Sequence, residues 1–280
     1  MNTELPNDYN EHGHALAAPD MGDAPLAGGV AVMLDTPEVG PQIVFPPDTR
    51  QRINTTTEYP WSTIGQLWMS FPNGESYTGT GTLIDGKHVL TAAHNLYGKD
   101  IGGWAKSVYF MPARNGDDYP YGTVPATKLF ITEDYFTLSP PDPNRNGHGV
   151  VEDYTLYTQD YAVVRLEKAL KLPIMGMVAG SYTQLNGATA RITGYPGDKT
   201  AGTMWTDSGP LAQPDDHFLF YKINTWRGQS GSGLFVDLAF PEGKSIVGVH
   251  VAGDPKLDSN FAVRLTNQEI NTVKSWMKMA

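Results

Sequence analysis

From residue 43 onward, short runs of β-branched and aromatic residues alternate with turn signals. The clearest runs are STIGQLWMSF (62–71), GTGTLIDGKHVLTAA (79–93), YAVVRL (161–166), ATARITGY (188–195), HFLFYKINTW (217–226) and SIVGVHVAG (245–253). Inside the second run, Asp85-Gly86 is a hairpin turn signal. Runs of this length and spacing are typical of an all-β sandwich or barrel, which we predict as the fold class.

The C-terminus has the one clear helical pattern in the sequence. Thr266 and Glu269 match a capping box. The apolar positions that follow at helical spacing are Ile270, Val273 and Trp276 or Met277. We expect this helix to pack against the β-rich body. A connection rich in Pro, Asn and Gly, residues 138–159, separates two strand runs, and connections of that length are usually functional or mobile.

The negative charge of the chain is concentrated at its start. The chain has 30 acidic and 20 basic residues, a net charge of −10. Residues 1–42 contain seven of the acids and no Lys or Arg, so residues 43–280 have 23 acidic and 20 basic residues, a net charge of −3. There is no basic cluster, and we expect no nucleic-acid partner. Because residues 1–42 show neither a period of 2 nor one of 3.6, they are predicted to be a poorly ordered acidic leader or prosegment.

The composition is that of an ordinary globular protein, with 40% hydrophobic and 18% charged residues. The longest apolar stretch near the start, GGVAVML (28–34), is much shorter than a membrane-spanning helix, and we expect no membrane partner. The first ten residues lack the basic and apolar regions of a secretory signal. The chain has no cysteine, which excludes disulfides, thiolate metal sites and a cysteine nucleophile.

The glycine-rich stretch TWRGQSGSGLF (225–235) contains two serines, Ser230 and Ser232. Taken alone, it is typical of a surface turn, because a catalytic serine also needs a base and an acid elsewhere in the chain. The G-x-S-x-G nucleophile elbow of lipases and esterases is excluded, because Ser232 occupies the place of the second glycine. The N–H groups of Gly228 and Ser230 can converge on an oxyanion, and a side chain at position 228 would obstruct that geometry.

Among the seven histidines, His94 has the context of a catalytic base. It ends a predicted hairpin, and the small residues Ala92 and Ala93 before it allow close packing. Five histidines lie in the leader, a strand or polar loops and have no motif around them: His12, His14, His88, His148 and His217. Asp153 and Asp160 compete as the orienting acid. We favour Asp160, because it immediately precedes a buried strand run and would be held rigidly.

The motifs TAAH (91–94), DYAVVRL (160–166) and GQSGS (228–232) occur in the chymotrypsin-type order of base, acid and serine, and they resemble those of the trypsin-fold serine peptidases. Three further stretches are similar to the bacterial glutamyl endopeptidases, secreted enzymes that cut after Glu and less readily after Asp. They are RINTTTEYPW (52–61), RNGDDYPYGTV (114–124) and ITGYPGDKTAGTMWTDSGPL (192–211). The resemblance covers residues 43–275.

The resemblance implies two six-stranded antiparallel β-barrels with the active site in the cleft between them, together with the C-terminal α-helix. The N-terminal barrel would span residues 43–170 and contain the base and the acid. The C-terminal barrel and the helix would span residues 171–280 and contain the serine and the S1 pocket. A prosegment, here residues 1–42, would be removed on maturation.

The same resemblance implies the roles of the site residues. His94 is the general base, Asp160 its orienter and Ser230 the nucleophile, and Gly228 with Ser230 forms the oxyanion hole. The residues that would bind the substrate and its P1 carboxylate are His250, Thr225, Gly253 and Arg227. The new N-terminal amine adds positive charge at this pocket. We expect protein or peptide substrates, a monomer, and no cofactor or metal site; a structural calcium ion stays open and is not predicted.

The chain departs from this family pattern in a few places. The departures are Gly233 in place of Pro, Tyr77 and Asn95 in place of a disulfide, Arg227 in place of a small residue, and Gln229 in place of the aspartate that anchors the new N-terminus in animal trypsin-like enzymes. We expect Gly233 to loosen the backbone, packing to replace the disulfide, and Arg227 to assist or distort acid recognition. Asn224 is neutral at the pocket base, which argues against cleavage after Lys or Arg.

The prediction is therefore a secreted serine endopeptidase that is made as a precursor and cuts after Glu. Two alternatives stay open: a peptidase of the same fold with another P1 specificity, and a weakly active protease-fold protein with a binding or toxin-like role. Asn54-Thr55-Thr56 is a glycosylation sequon, which matters only in a eukaryotic secretory host.

Overall fold

The computed structural model describes residues 42–138, 154–212, 214–237 and 243–279. The predicted leader up to residue 41 lies outside the described residues. So do residues 139–153 of the long connection, including the alternative acid Asp153.

The described part of the chain contains sixteen β-strands and three α-helices. The first nine strands are β1 (Gln51–Arg52), β2 (Ile64–Ser70), β3 (Ser76–Leu83), β4 (His88–Thr91), β5 (Tyr97–Gly98), β6 (Gly103–Trp104), β7 (Ser107–Pro112), β8 (Val124–Ile131) and β9 (Ala162–Leu166). The others are β10 (Gly176–Met177), β11 (Thr189–Gly194), β12 (Trp205–Ala212), β13 (Phe218–Tyr221), β14 (Gly233–Val236), β15 (Ser245–Asp254) and β16 (Ser259–Arg264). The helices are α1 (Glu133–Leu138), α2 (Tyr182–Leu185) and α3 (Asn267–Lys278).

The first barrel is a closed antiparallel sheet of six strands in the order β2-β3-β4-β9-β8-β7. Side chains alternate between its two faces, and the inward-facing ones form a continuous apolar core. Fully buried members of this core are Leu67, Val89, Phe110 and Val164. Gly65 leaves room for this core, because a Cβ atom there would lie 2.3 Å from the Phe110 ring.

The second barrel has the strand order β12-β11-β14-β15-β16-β13 and closes through the antiparallel pairing of β12 with β13. Two short strands extend it: β1 pairs with β12, and β10 pairs with β15. Its core includes the fully buried side chains of Ile192, Leu219, Leu234 and Val247. The prediction of two six-stranded antiparallel barrels is confirmed.

The start of the described chain lies along the second barrel before the chain enters the first. Strand β1 pairs with Trp205 and Thr206 of β12, although the boundary drawn from the sequence placed these first residues with the first barrel. The Arg50 side chain, only 1% exposed, donates hydrogen bonds of 2.8–2.9 Å to Asp48 and also bonds Asp198. Burial alone would lower the pKa of Arg50, but the two carboxylates raise it above its usual range. This buried ion pair fixes the segment to the loop after β11.

The predicted C-terminal helix is confirmed as α3. The Thr266 hydroxyl and the Glu269 carboxylate cap its N-terminus reciprocally. Its buried face places Trp276 against Phe130 of β8 and against Tyr161, with ring centroids 6.2 and 5.7 Å away. These residues belong to one apolar cluster that also contains second-barrel side chains. The helix therefore packs the C-terminal end of the chain against the first barrel.

We expect Trp276→Ala to lower the free energy of unfolding by about 3–5 kcal/mol, because it leaves a cavity among buried aromatic rings. Equilibrium unfolding in urea measures the change. Lys274→Ala, at an exposed position of the same helix, is the matched control and should change stability by less than about 0.5 kcal/mol. Equal losses in the two variants would contradict the packing role of Trp276.

Candidate functional site

The ends of two paired strands bring His94 and Asp160 together. Thr91, the last residue of β4, lies opposite Ala162, the first residue of β9. His94 follows in a short 3₁₀ turn, Ala93–Asn95, and Asp160 immediately follows a second one, Tyr154–Gln159. The predicted base and acid thus lie at one end of the first barrel.

Asp160 binds both the backbone and the side chain of His94. One carboxylate oxygen accepts the His94 backbone N–H at 2.9 Å, and the other lies 2.7 Å from Nδ1. Asp160 is 1% exposed, so water does not compete for these bonds. A carboxylate accepts but cannot donate, and it therefore holds the hydrogen on Nδ1. His94 Nε2 is left free to accept a proton, as a general base requires.

The loop that carries Ser230 connects β13 to β14 and needs glycine at two positions. Gly228 has φ of +94° and Gly231 has φ of +85°, a region that side chains rarely adopt. A Cβ atom at 228 would lie 2.4 Å from the Tyr195 carbonyl oxygen, and one at 231 would lie 2.1 Å from the Thr91 hydroxyl. Positive φ angles and close buried neighbours therefore require glycine at positions 228 and 231, a requirement that an ordinary surface turn does not impose.

Hydrogen bonds from the first barrel hold this loop across the cleft. The Ser230 carbonyl accepts the Thr80 N–H and the Asn95 side-chain amide, each at 2.9 Å. The Thr80 hydroxyl donates to the Gly228 carbonyl at 2.8 Å and accepts from the Tyr195 N–H at 3.1 Å. Thr80 is fully buried, and its contacts fix the loop relative to the first barrel.

The predicted oxyanion hole has two N–H groups available. Within the described residues, neither the Gly228 N–H nor the Ser230 N–H has a hydrogen-bond acceptor. The two are separated by one residue in a turn closed by the hydrogen bond from Gln229 N–H to Trp226 O, 3.0 Å. Unsatisfied backbone donors are rare inside proteins, and a pair of them beside a serine fits an anion site.

The two serines of the glycine-rich stretch differ in exposure. Ser230 is partly exposed, whereas Ser232 is fully buried. A Cβ atom at Gly194 would lie 2.5 Å from the Ser232 hydroxyl, so that hydroxyl is packed against β11. Only Ser230 is open to a substrate.

The Ser230 hydroxyl accepts a hydrogen bond of 2.8 Å from the side-chain amide of Gln42. Among the described residues, no hydrogen bond joins the Ser230 hydroxyl to His94 Nε2. Gln42 is 8% exposed, and its Oε1 has no hydrogen-bond partner in the described part of the chain. The residue that precedes the body of the protein therefore lies in the active-site cleft.

Residues after Gln42 are bonded to the side of the predicted pocket. Asn260 accepts the Ile43 N–H at 2.9 Å and donates to the Ile43 carbonyl at 2.8 Å. The Thr225 N–H donates to the same carbonyl at 3.2 Å. The Phe45 N–H donates to the Asn224 side-chain oxygen. Asn224, the residue predicted at the base of the pocket, thus anchors the first described residues of the chain.

His250 and Thr225 bring buried polar atoms without partners to this region. His250 is fully buried in β15, and its backbone bonds the adjacent residues Gly231 and Ser232, at the end of the loop that carries Ser230, at 2.8 and 2.9 Å. Its Nδ1 shares a hydrogen bond of 2.7 Å with the Tyr221 hydroxyl. Within the described residues, His250 Nε2 and the Thr225 hydroxyl have no partner. Gly253 lies buried at the end of the same strand, opposite Asn260.

The imidazole of His250 is neutral at neutral pH. Burial lowers its pKa from 6.5 to about 3, and the Phe261 carbonyl offsets only part of this effect. The nearby His94 ring lowers the pKa further. A neutral imidazole has a hydrogen on only one of its two ring nitrogens. Which nitrogen carries it determines whether the ring can donate a hydrogen bond to a ligand in the pocket.

The departures from the family pattern have local explanations. Gly233 lies in β14, and its N–H donates to the Thr82 hydroxyl at 3.3 Å, a bond that Pro could not make. At the corner where the family pattern has a disulfide, Asn95 donates hydrogen bonds to the Thr91 hydroxyl and the Ser230 carbonyl, and Tyr77 packs against Phe71.

The other two departures lie in the nucleophile loop. Gln229 is fully buried and accepts the Trp226 N–H at 3.0 Å, so it braces this loop from within. Arg227 is partly exposed, and its carbonyl accepts the Gly197 N–H at 2.6 Å. The backbone of Arg227 thus joins the nucleophile loop to the loop after β11.

Sequence reasoning missed Thr80, Gln42, Tyr221 and Asn260. The run of alternating Gly and Thr around Thr80 predicted a strand, but nothing in it indicated a hydroxyl bonded across the cleft. Asn260 offered a weak signal, because an Asn within the strand-like SNFAVR must satisfy a buried amide.

The described residues contain no group of three or more His, Cys, Asp or Glu residues that could hold a metal ion. None of their helices is long and apolar enough to cross a membrane.

The chain is similar to several characterised peptidases. Glutamyl endopeptidase of Bacillus licheniformis is 34% identical over 239 residues, which cover 83% of this chain and 68% of that protein. A protein of Bacillus subtilis described as an extracellular metalloprotease is 30% identical over 239 residues, 84% of this chain and 70% of that protein. Glutamyl endopeptidase of Staphylococcus aureus is 26% identical over 243 residues, 83% of this chain and 63% of that protein.

Solved structures share the fold. A Glu endopeptidase in complex with MPD matches with a TM-score of 0.70 at 23% identity, over 85% of this chain and all of that one. The protease Anisep from Arthrobacter nicotinovorans matches with a TM-score of 0.59 at 18% identity, over 81% of this chain and 98% of that one. The family model of the trypsin-like peptidase domain matches residues 79–246, more than half of the chain. The chain therefore belongs to the trypsin-like peptidase family and is a serine endopeptidase.

Proposed function

We propose that this peptidase is secreted, is made as a precursor, and cuts peptide bonds after Glu, less readily after Asp. The observation that carries the acid specificity is the pair of buried polar atoms, His250 Nε2 and the Thr225 hydroxyl, that have no partner among the described residues. The names of two relatives, both glutamyl endopeptidases, support the same specificity.

The proposed catalytic residues are His94, Asp160 and Ser230. His94 Nε2 takes the proton of the Ser230 hydroxyl as its oxygen attacks the scissile carbonyl carbon, and Asp160 stabilises the imidazolium that forms. The N–H groups of Gly228 and Ser230 bind the oxyanion. His94 then gives the proton to the leaving amine, and water hydrolyses the acyl-enzyme by the same steps. These steps use side chains and backbone only.

Specificity for an acidic residue is compatible with the negative charge of the chain. Exposed charges farther than about 10 Å are screened by salt, whereas a carboxylate in a buried pocket depends on donors within hydrogen-bond distance. The proposed donors are His250 and Thr225, with the mature α-amino group and the rim residue Arg227, and Gly253 lines the pocket.

The proposed precursor form has a physical basis in Gln42. Its amide donates a hydrogen bond to the Ser230 hydroxyl oxygen, so the Gln42 side chain occupies space beside the nucleophile that a substrate would need. Cleavage before Ile43 would free the Gln42 side chain and create an α-amino group 2.9 Å from the Asn260 side-chain oxygen. The proposed leader, residues 1–42, would then be removed without breaking the bonds that hold residue 43.

The proposal of secretion is supported by one relative that carries the word extracellular in its description. We propose a monomer that acts on proteins or peptides with Glu at P1 and uses no cofactor.

The first prediction from this proposal concerns the two serines. Ser230→Ala should abolish covalent labelling by a fluorophosphonate and lower turnover by several orders of magnitude, because the attacking oxygen is lost. Ser232→Ala is the matched control and should retain labelling, because its hydroxyl is buried. If the label is found on Ser232, the assignment is wrong.

The second prediction concerns the leader. N-terminal sequencing of active protein should give a start between Val39 and Val44, because Glu38-Val39 offers a self-cleavage site and Gln42-Ile43 a final one. The full-length Ser230→Ala chain should keep its leader, and Glu38→Gln should slow its removal. Activity in protein that still begins at Met1 would contradict the proposed precursor.

The third prediction concerns specificity. His250→Ala should lower kcat/KM for Glu substrates by about a hundredfold or more, while a slow Ala or Leu substrate is little affected, because only the carboxylate loses its buried donor. Arg227→Gly should have a smaller, salt-sensitive effect, because Arg227 is partly exposed. Steady-state kinetics on matched peptides measures both. Equal losses on Glu and Leu substrates would mean that His250 supports the fold and not acid recognition.

A further inference from the structure

Tyr221 lies behind His250, inside the second barrel. It is the last residue of β13, is fully buried, and is separated from β15 by β16. Its hydroxyl lies 2.7 Å from His250 Nδ1, on the opposite side of the ring from the unpartnered Nε2. Neither family resemblance nor sequence pattern had given Tyr221 a role.

The direction of this hydrogen bond follows from the partners that the two groups have. Burial raises the pKa of Tyr221 well above its usual value, so the phenol keeps its proton. A buried O–H is expected to donate, and within the described residues His250 Nδ1 is the one partner of the Tyr221 hydroxyl. The phenol therefore donates to Nδ1.

A neutral imidazole with an accepting Nδ1 carries its hydrogen on Nε2. The Phe261 carbonyl favours the protonated ring, and Nε2 has no hydrogen-bond partner among the described residues. The Nε2–H is thus a buried donor without an acceptor, which costs free energy until an acceptor arrives.

We propose that Tyr221 is a positioning residue for specificity: it fixes His250 in the Nε2–H tautomer, so that the ring presents a donor to the carboxylate of the substrate. This inference rests on the proposed recognition of Glu by His250. Without the phenol, the ring could place its hydrogen on Nδ1 and present a bare lone pair to the pocket, which repels a carboxylate. Tyr221 acts only through His250.

The first test reads the tautomer directly in the mature protein. Long-range ¹H–¹⁵N correlation spectra of histidine-labelled protein distinguish an imidazole with hydrogen on Nε2 from one with hydrogen on Nδ1, and His250→Ala assigns the signal. The wild type should show a single Nε2–H tautomer, and Tyr221→Phe should show a mixture or the other form. An Nδ1–H tautomer in the wild type would overturn the proposal, whether or not the variant folds.

The second test measures selectivity. Tyr221→Phe keeps the ring and should lower kcat/KM for a Glu peptide by about 10- to 100-fold, with less than about a threefold change on a matched Leu peptide. Tyr161→Phe, which removes another buried phenol hydroxyl, is the matched control and should leave the Glu-to-Leu ratio unchanged. An unchanged ratio in Tyr221→Phe, or an equal fall in Tyr161→Phe, overturns the proposal.

Different results would overturn the acid specificity of His250 and the role of Tyr221. If His250→Ala loses Glu and Leu activity equally, the proposed acid specificity fails, whatever the tautomer. If His250→Ala loses only Glu activity while Tyr221→Phe keeps both the ratio and the tautomer, the specificity stands and the role of Tyr221 is wrong.

Discussion

The carbonyl oxygen of Ser230 accepts hydrogen bonds from Thr80 and Asn95, both on the first barrel, and the rest of the site depends on this junction. The base and acid belong to one barrel and the serine to the other, so no local turn sets their separation. The junction is tight because Gly231 has no side chain, and a Cβ atom there would lie 2.4 Å from the Thr80 carbonyl oxygen. Two separately closed barrels thereby act as one rigid frame for a few atoms.

Inside this frame, some buried polar atoms lack the hydrogen-bond partners that they would have in an ordinary protein core. His250 Nε2, the Thr225 hydroxyl and Gln42 Oε1 are all buried without partners in the described part of the chain. Each such atom costs about 1–3 kcal/mol relative to a bonded one. The aliphatic and aromatic cores of the two barrels offset that cost away from the site. Local departures from good packing rules are expected where a protein binds a ligand.

The sequence was informative where local pattern determines structure. Short β-rich runs predict an all-β sandwich or barrel, the family resemblance implies two barrels, and a capping box predicts α3. The residues that flank His94 and Asp160 favour these two over the other candidates, and the structure places them within hydrogen-bond distance of each other. The remaining features depend on contacts between distant residues. Thr80 lies 150 residues from Ser230 in the chain, and nothing near Tyr221 shows that its hydroxyl lies beside an imidazole. Such pairs follow from barrel closure and strand register, which single-sequence periodicity does not specify.

The bonds that Asn260 and Thr225 make to Ile43 do not involve the carbonyl of the preceding residue. They can therefore persist whether the chain before Ile43 is intact or cut, and β1 and the Arg50 ion pair hold the rest of the segment in either case. In animal trypsin-like enzymes an aspartate anchors the new N-terminus, but here that position is the buried, internally bonded Gln229. If the proposed cleavage before Ile43 takes place, it changes the charge beside the pocket and not the fold: one amide nitrogen becomes a cation, and no loop has to be rebuilt.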